Sequence, residues 1–197
     1  MSLLIAMISF SLAMSISPGP VNMVIVSSGA SYGIRKTFSF VSGATIGFTL
    51  LLLFMGLGFY KVIDLYPSIL KYLAVAGSLF IIYMGYLLAS SKAELDIIKE
   101  KLPTFIQGFL LQWLNPKAWI ACVAGVSLFS VPNDNGVFLT FSFVYFIVCY
   151  LALFAWSVLG DKVTFFLNSE FRLKAFNILM GGLLIVTAIF LLYSQFN

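Results

Sequence analysis

The sequence contains no histidine. The side chain that most often ligates metals or shuttles protons near neutral pH is therefore missing. Cysteine occurs twice, as Cys122 and Cys149, with no CxxC spacing. That suggests neither a redox pair nor a thiolate metal site, and both are read as packed core residues. Aspartate and glutamate number seven, and none falls deep in an apolar run; Asp64 and Asp161 sit at run ends. Charged residues make up 9% of the chain, against about 25% in soluble domains. Such a chain cannot cover itself with polar surface in water. An integral membrane protein is expected, with no soluble domain, long linker or low-complexity tract. The net charge of +4 does not point to nucleic acid, because the basic residues fall in short loops. No metal or cofactor is implied.

What is present is hydrocarbon. The 197 residues are 61% hydrophobic, with a mean hydropathy of +1.07. A membrane-crossing helix takes about 20 apolar residues, so about six spans use the whole length. The sequence places them at 3–30, 37–60, 68–90, 104–129, 137–160 and 173–193. No basic stretch precedes the first run, and that run is too long for a signal-peptide core. It is read as a mature first span. Basic residues gather after spans 1, 3 and 5: Arg35, Lys36, Lys92, Lys99, Lys101, Lys162, Arg172 and Lys174. Only Lys61 and Lys71 lie on the other side. The Lys and Arg excess marks the cytoplasmic face, so both termini are expected to be periplasmic.

Two of the spans are interrupted. Ser17-Pro18-Gly19-Pro20, with Asn22 behind it, lies in the middle of span 1, and Asn115-Pro116-Lys117 lies in the middle of span 4. A proline removes a backbone donor and clashes with the carbonyl one turn back, and it pushes the preceding residue out of the α region. In lipid the freed groups must find partners or line a polar cavity. Paired interruptions in corresponding halves are the sequence pointer to a transporter site at the bilayer midplane. The fold expected is all-α, with six transmembrane helices in two inverted three-helix repeats. Half 1 is 1–90, the connecting cytoplasmic loop is 91–103 and half 2 is 104–197, together one membrane domain.

A half-helix starting after each break aims free N–H groups and a positive dipole end at the gap, which suits a carboxylate. The carbonyl ends before the breaks suit an ammonium. Asn22 and Asn115 both donate and accept. Lys117 is the basic residue deepest in a span, a functional candidate by default; it pairs a substrate carboxylate or, lying nearer the interface, snorkels. Gln112 is one turn before Pro116. Ser17, Tyr145 and Trp119 are weaker candidates. Gly43 and Gly47 either let helices approach closely or leave room for substrate. No residue is evident as a proton carrier. A homodimer is a further expectation, with Gly77 or Gly181-Gly182 at the contact.

At these residues the sequence resembles a known family. Ser17-Pro18-Gly19-Pro20, Gly43 with Gly47, Tyr83-Met84-Gly85-Tyr86 and Gln112-Trp113-Leu114-Asn115-Pro116-Lys117-Ala118 are similar to the LysE/RhtB family of amino-acid exporters, over the whole chain. The resemblance implies secondary transport of amino acids or related small metabolites out of bacteria across the inner membrane. Its motif residues carry over to Pro18, Gly19, Pro20, Asn115, Pro116 and Lys117. Two other roles are weighed: a metal-cation exporter, and a thiol–disulfide electron carrier of the broader superfamily. The first lacks a cluster of ligands in the spans, and the second lacks a cysteine in span 1.

Overall fold

The computed structural model describes residues 2–59, 65, 68–90, 102–131, 134–163, 165, 167 and 169–194. Lys61, Asp64, Pro132, Asn133 and the charged connection through Lys92, Lys99 and Lys101 lie outside them. The described elements are helices, besides an isolated bridge between Val131 and Asp134. In chain order they are α1 (Ser2–Ile16), α2 (Pro20–Phe54), a π-helical turn (Met55–Phe59), α3 (Ser68–Ala89), α4 (Phe105–Trp113), α5 (Pro116–Phe129), α6 (Asn135–Val163) and α7 (Glu170–Ser194).

Helices α2, α6 and α7 are long and apolar enough to cross a membrane, and 2–16, 74–89 and 116–129 form shorter apolar helices. Both expected interruptions are present, between α1 and α2 and between α4 and α5. The expected loop at 31–36 is a correction. Helix runs up to either side of Gly33, whose φ of 78° and ψ of 168° are not helical. That conformation is open essentially to glycine alone. Asn22 and Phe48 nevertheless line one cavity. A straight helix would separate them by about 39 Å, so the chain reverses at Gly33. Two further boundaries move: α6 runs on to Val163 and α7 begins at Glu170, which shortens the expected polar loop between them.

Beyond Gly33, α2 runs antiparallel to α6. Gly33 lies beside Asp161, Ser42 Oγ is 2.5 Å from Tyr150 Oη, Phe48 stacks on Tyr145, and Gly56 meets the ring of Phe138. Before Gly33, residues 20–32 press on the far end of α6: an added Cβ at Gly29 would stand 2.6 Å from the Ser157 carbonyl. Buried Asn177 of α7 ties to the same segment, accepting from Ser27 at 2.5 Å and donating to Ser31 at 3.0 Å. Phe40, Leu51, Leu52, Met55, Leu111, Phe141 and Leu153 fill the core. Ile5 and Leu12 of α1, Phe143 and Leu151 of α6, and Val186 and Phe190 of α7 are exposed on the outside. An apolar outer surface of this extent has hydrocarbon as its solvent.

Several crossings are backbone against backbone. The carbonyl of Gly181 would lie 2.8 Å from a Cβ at Gly85, and a Cβ at Gly181 would meet the Gly85 carbonyl in turn. Gly77 abuts the Leu114 carbonyl. Gly77 and Gly181 are thus used within the chain rather than free for a dimer contact, whereas Gly182 faces open space. Adjacent positions therefore respond oppositely to one methyl group. Gly181→Ala should lower stability by about 1–3 kcal/mol through overpacking, and Gly182→Ala should leave it unchanged or raise it by up to about 1 kcal/mol through helix propensity. Thermal unfolding of the two purified variants in detergent reads the difference.

Candidate functional site

The first break is built by Pro18 and Pro20 around an extended Gly19 (φ −168°, ψ 177°). Helix α1 ends with the Ser17 N–H on the Ala13 carbonyl at 3.2 Å, and the Ser17 hydroxyl donates to the Met14 carbonyl at 3.1 Å. Pro20 opens α2 with no side-chain cap. The N–H groups of Val21 and Asn22 therefore begin the helix without an acceptor one turn back. The Asn22 amide instead reaches backwards, donating to the Ser15 carbonyl at 3.0 Å and the Ser17 carbonyl at 3.4 Å. It satisfies the C-terminal end of α1 from the N-terminal end of α2.

The second break is made from different parts. Thr104 and Gln107 form a capping box that starts α4. Leu114 and Asn115 leave the helix, and Asn115 Oδ1 accepts from the Lys117 N–H at 3.1 Å, capping α5. The Trp119 indole donates to the Trp113 carbonyl at 2.6 Å, closing an orphan at the end of α4. The Trp113 indole donates to the Gly47 carbonyl at 3.0 Å. Trp119 thus serves the backbone of the break, and Trp113 ties α4 to α2.

One contact joins the two. Lys117 Nζ, on the second break, donates to the Ser17 carbonyl at 2.6 Å, with the Pro18 carbonyl at 3.4 Å. A cation at a helix C-terminus meets the negative end of the dipole. The lysine stem reaches there because Gly19 has no side chain: a Cβ would stand 3.2 Å from Lys117 Cδ and Nζ.

A cavity of about 30 Å³ lies at this junction, room for a water or two. Gly19, Asn22, Gln112, Asn115, Lys117 and Tyr145, all candidates from the sequence, line it. Ser17 and Pro18 contribute carbonyls beside it through Lys117, and Pro20 and Pro116 set its two helix starts. Gly43 is elsewhere. It is buried at the α2–α4 crossing, where a Cβ would meet the Phe105 carbonyl, and Gly47 lies one turn on against Phe109. Their placement is that of close-packing positions. Among the described residues, the side chains of Gln112 and Asn115 keep donors without a protein acceptor.

Sequence reasoning missed Ser15, Phe48 and Cys149 on the cavity wall. Ser15 Oγ is buried there with no hydrogen-bond partner, a condition that costs about 1–3 kcal/mol in a protein interior. Phe48 stacks on Tyr145 with ring centroids 4.4 Å apart. Nothing in the local sequence marks these three, since each sits in an ordinary apolar run. The site lies at mid-height. Tyr145 and Leu153 are each ten residues from an end of α6, about 15 Å by helix rise. The constellation offers N–H donors, carbonyls, carboxamides and one ammonium in a small space, suited to holding a solute that carries both charges.

Comparison with known proteins agrees in kind. The family profile described as LysE type translocator matches residues 12–195. Cysteine/O-acetylserine efflux proteins of Escherichia coli K12, Escherichia coli O1:K1 and Shigella sonnei are each 30% identical over 138 residues. That covers 69% of this chain and 70% of theirs. No solved structure matches.

The breaks make a stability prediction of their own. Asn22→Leu leaves the Ser15 carbonyl without its donor and should cost about 1–3 kcal/mol. Asn115→Ala removes a helix cap and should cost about 0.5–2 kcal/mol. Asn115→Asp, which keeps the capping oxygen, should recover most of the loss. Thermal midpoints in detergent report all three.

Proposed function

The chain belongs to the LysE type translocator family, and from that premise we propose that it exports small amino acids or related zwitterionic metabolites across the bacterial inner membrane, driven by the proton motive force. Members of the family are transporters, not enzymes. The observation that carries the reading is the convergence of two broken helices on one polar cavity at mid-height, with Lys117 of one on the Ser17 carbonyl of the other. The substrate carboxylate lies at the N-terminal end of α2, beside the Val21 and Asn22 N–H groups, and the ammonium lies toward the Ser17 and Pro18 carbonyls. Gln112 and Asn115 supply amide donors, and Tyr145 closes the wall. Pro18, Gly19, Pro20 and Pro116 hold the breaks open. The relatives' names make cysteine and O-acetylserine the first substrates to try.

We further propose six spans arranged as two inverted halves, 1–90 and 104–197, joined by a cytoplasmic connection at 91–103. The packing supports this. Under the exchange of halves, α1 against α6 corresponds to α4 against the second part of α2. The α2–α6 and α3–α7 pairs each map onto themselves, and Gly85 faces Gly181 across the second. Gly33 lies beside Asp161, so Arg35, Lys36 and Lys162 share one end, which supports a cytoplasmic assignment for it. Both termini are then periplasmic. A homodimer remains part of the proposal, with the open face around Gly182 as its surface. No observation favours the metal-cation or thiol–disulfide alternative.

Export assays in cells test the site. Pro18→Ala, Asn22→Ala and Asn115→Ala should each lower amino-acid efflux by about tenfold or more, a loss of roughly 1.4 kcal/mol or more, with protein still present in the membrane. Undiminished efflux in all three removes the site. A cysteine at position 35 should react with impermeant reagents only from the cytoplasmic side, and periplasmic labelling reverses the topology. Resistance of expressing cells to toxic amino-acid analogues narrows the substrate.

A further inference from the structure

The carbonyls best placed for a substrate ammonium are already held by one. Lys117 Nζ sits 2.6 Å from the Ser17 carbonyl and 3.4 Å from the Pro18 carbonyl. These belong to the C-terminal end of α1, where the last carbonyls of a helix lack intrahelical partners. The lysine reaches them across Gly19, whose missing side chain leaves the path open. The same cavity contains Ser15 Oγ, buried and without a partner.

The surroundings limit what else can carry a proton. Tyr145 and Cys149 of α6 are the other titratable side chains on the cavity wall. Cys122, on the same helix as Lys117, is packed in the core. Helices α1, α2 and α4 bring no titratable side chain to the cavity, and α3 brings none to its wall. Among the described residues, no aspartate or glutamate lines it. Lys117 is the charged group there.

We propose that Lys117 couples export to proton entry: its ammonium and the substrate ammonium compete for the Ser17 and Pro18 carbonyls. This rests on the exporter reading above. Two cations cannot share acceptors a few ångströms apart in a medium of low dielectric. When a zwitterion enters from the cytoplasm, its ammonium takes the carbonyls. Lys117 then breaks one N–H bond and passes that proton to cytoplasmic water, keeping the electron pair as a neutral amine. After the cavity opens outward, a proton from external hydronium adds to that pair. The restored ammonium retakes the carbonyls and expels the substrate. One proton moves in for each zwitterion moved out, and no other reactant is needed. An ordinary lysine that merely paired the substrate carboxylate would be needed in its charged form throughout.

That contrast supplies the test. Purified protein is reconstituted in liposomes with radiolabelled O-acetylserine and cysteine as probes. Two measurements are made, substrate exchange without a gradient and net transport against an opposing proton gradient. Wild type should show both, with the gradient raising net transport by about tenfold. Lys117→Met, which removes the titrating group, should keep measurable exchange at a lower rate than wild type and lose the response to the gradient. Lys117→Arg cannot release its proton, so it should lose both. Three results overturn the inference alone: gradient-driven transport by Lys117→Met, exchange kept by Lys117→Arg, or exchange lost by both. Absence of exchange in wild type overturns the exporter reading and this inference with it.

Discussion

A helix broken inside a hydrocarbon layer has nowhere to send its freed backbone groups except to other parts of the protein. That constraint organises this molecule. Three of the four broken ends are answered by side chains, while the start of α2 has no side-chain cap: Asn22 for the end of α1, Trp119 for the end of α4, Asn115 for the start of α5, and Lys117 again for α1. The answers are not interchangeable. Three of them are neutral and local. The fourth is a cation that spans the two halves of the chain. It is the one whose removal would separate the breaks energetically as well as chemically.

Close backbone approach makes the geometry possible. Glycine lies at the crossings of α2 with α4, of α2 with α6, and of α3 with α7. In a bilayer, where apolar side chains gain little by leaving lipid, such contacts rather than hydrophobic burial hold helices together. The Gly33 reversal serves the same end. It lets a half-helix and a full span share one stretch of sequence and both lie on α6. The result is a wall thin enough that residues as distant in sequence as Met14, Phe48, Gln112 and Leu153 face one space.

Much of this was legible in the residues. Proline chemistry located both interruptions to the residue, because a missing N–H and a ring clash act locally. Asn22, Asn115 and Lys117, which meet at one cavity, stood out as polar groups in apolar runs. The tight reversal at Gly33 was less visible, since a basic Arg35-Lys36 pair reads as a loop whether the turn takes one residue or six. Gly43 was ambiguous for a physical reason: absence of a side chain serves a ligand and a neighbouring helix equally well, and only the Phe105 backbone against it decides where it sits. Ser15 and Cys149 were invisible because a small residue in an apolar helix carries no mark of the face it presents. The contact made by Lys117 was not legible. The residue was singled out as a cation in an apolar span, but its partner was not, because carbonyls 100 residues away along the chain leave no trace in local pattern.

The cavity is small, about 30 Å³. Any solute must therefore wedge its way between helices instead of dropping into a waiting mould. Girth then becomes a toll at the entrance: a lean side chain parts the walls slightly, and a bulky one must unstack Phe48 from Tyr145 before it fits. Selection among cargoes would follow from the work of prying the gap apart as much as from any bond made inside it.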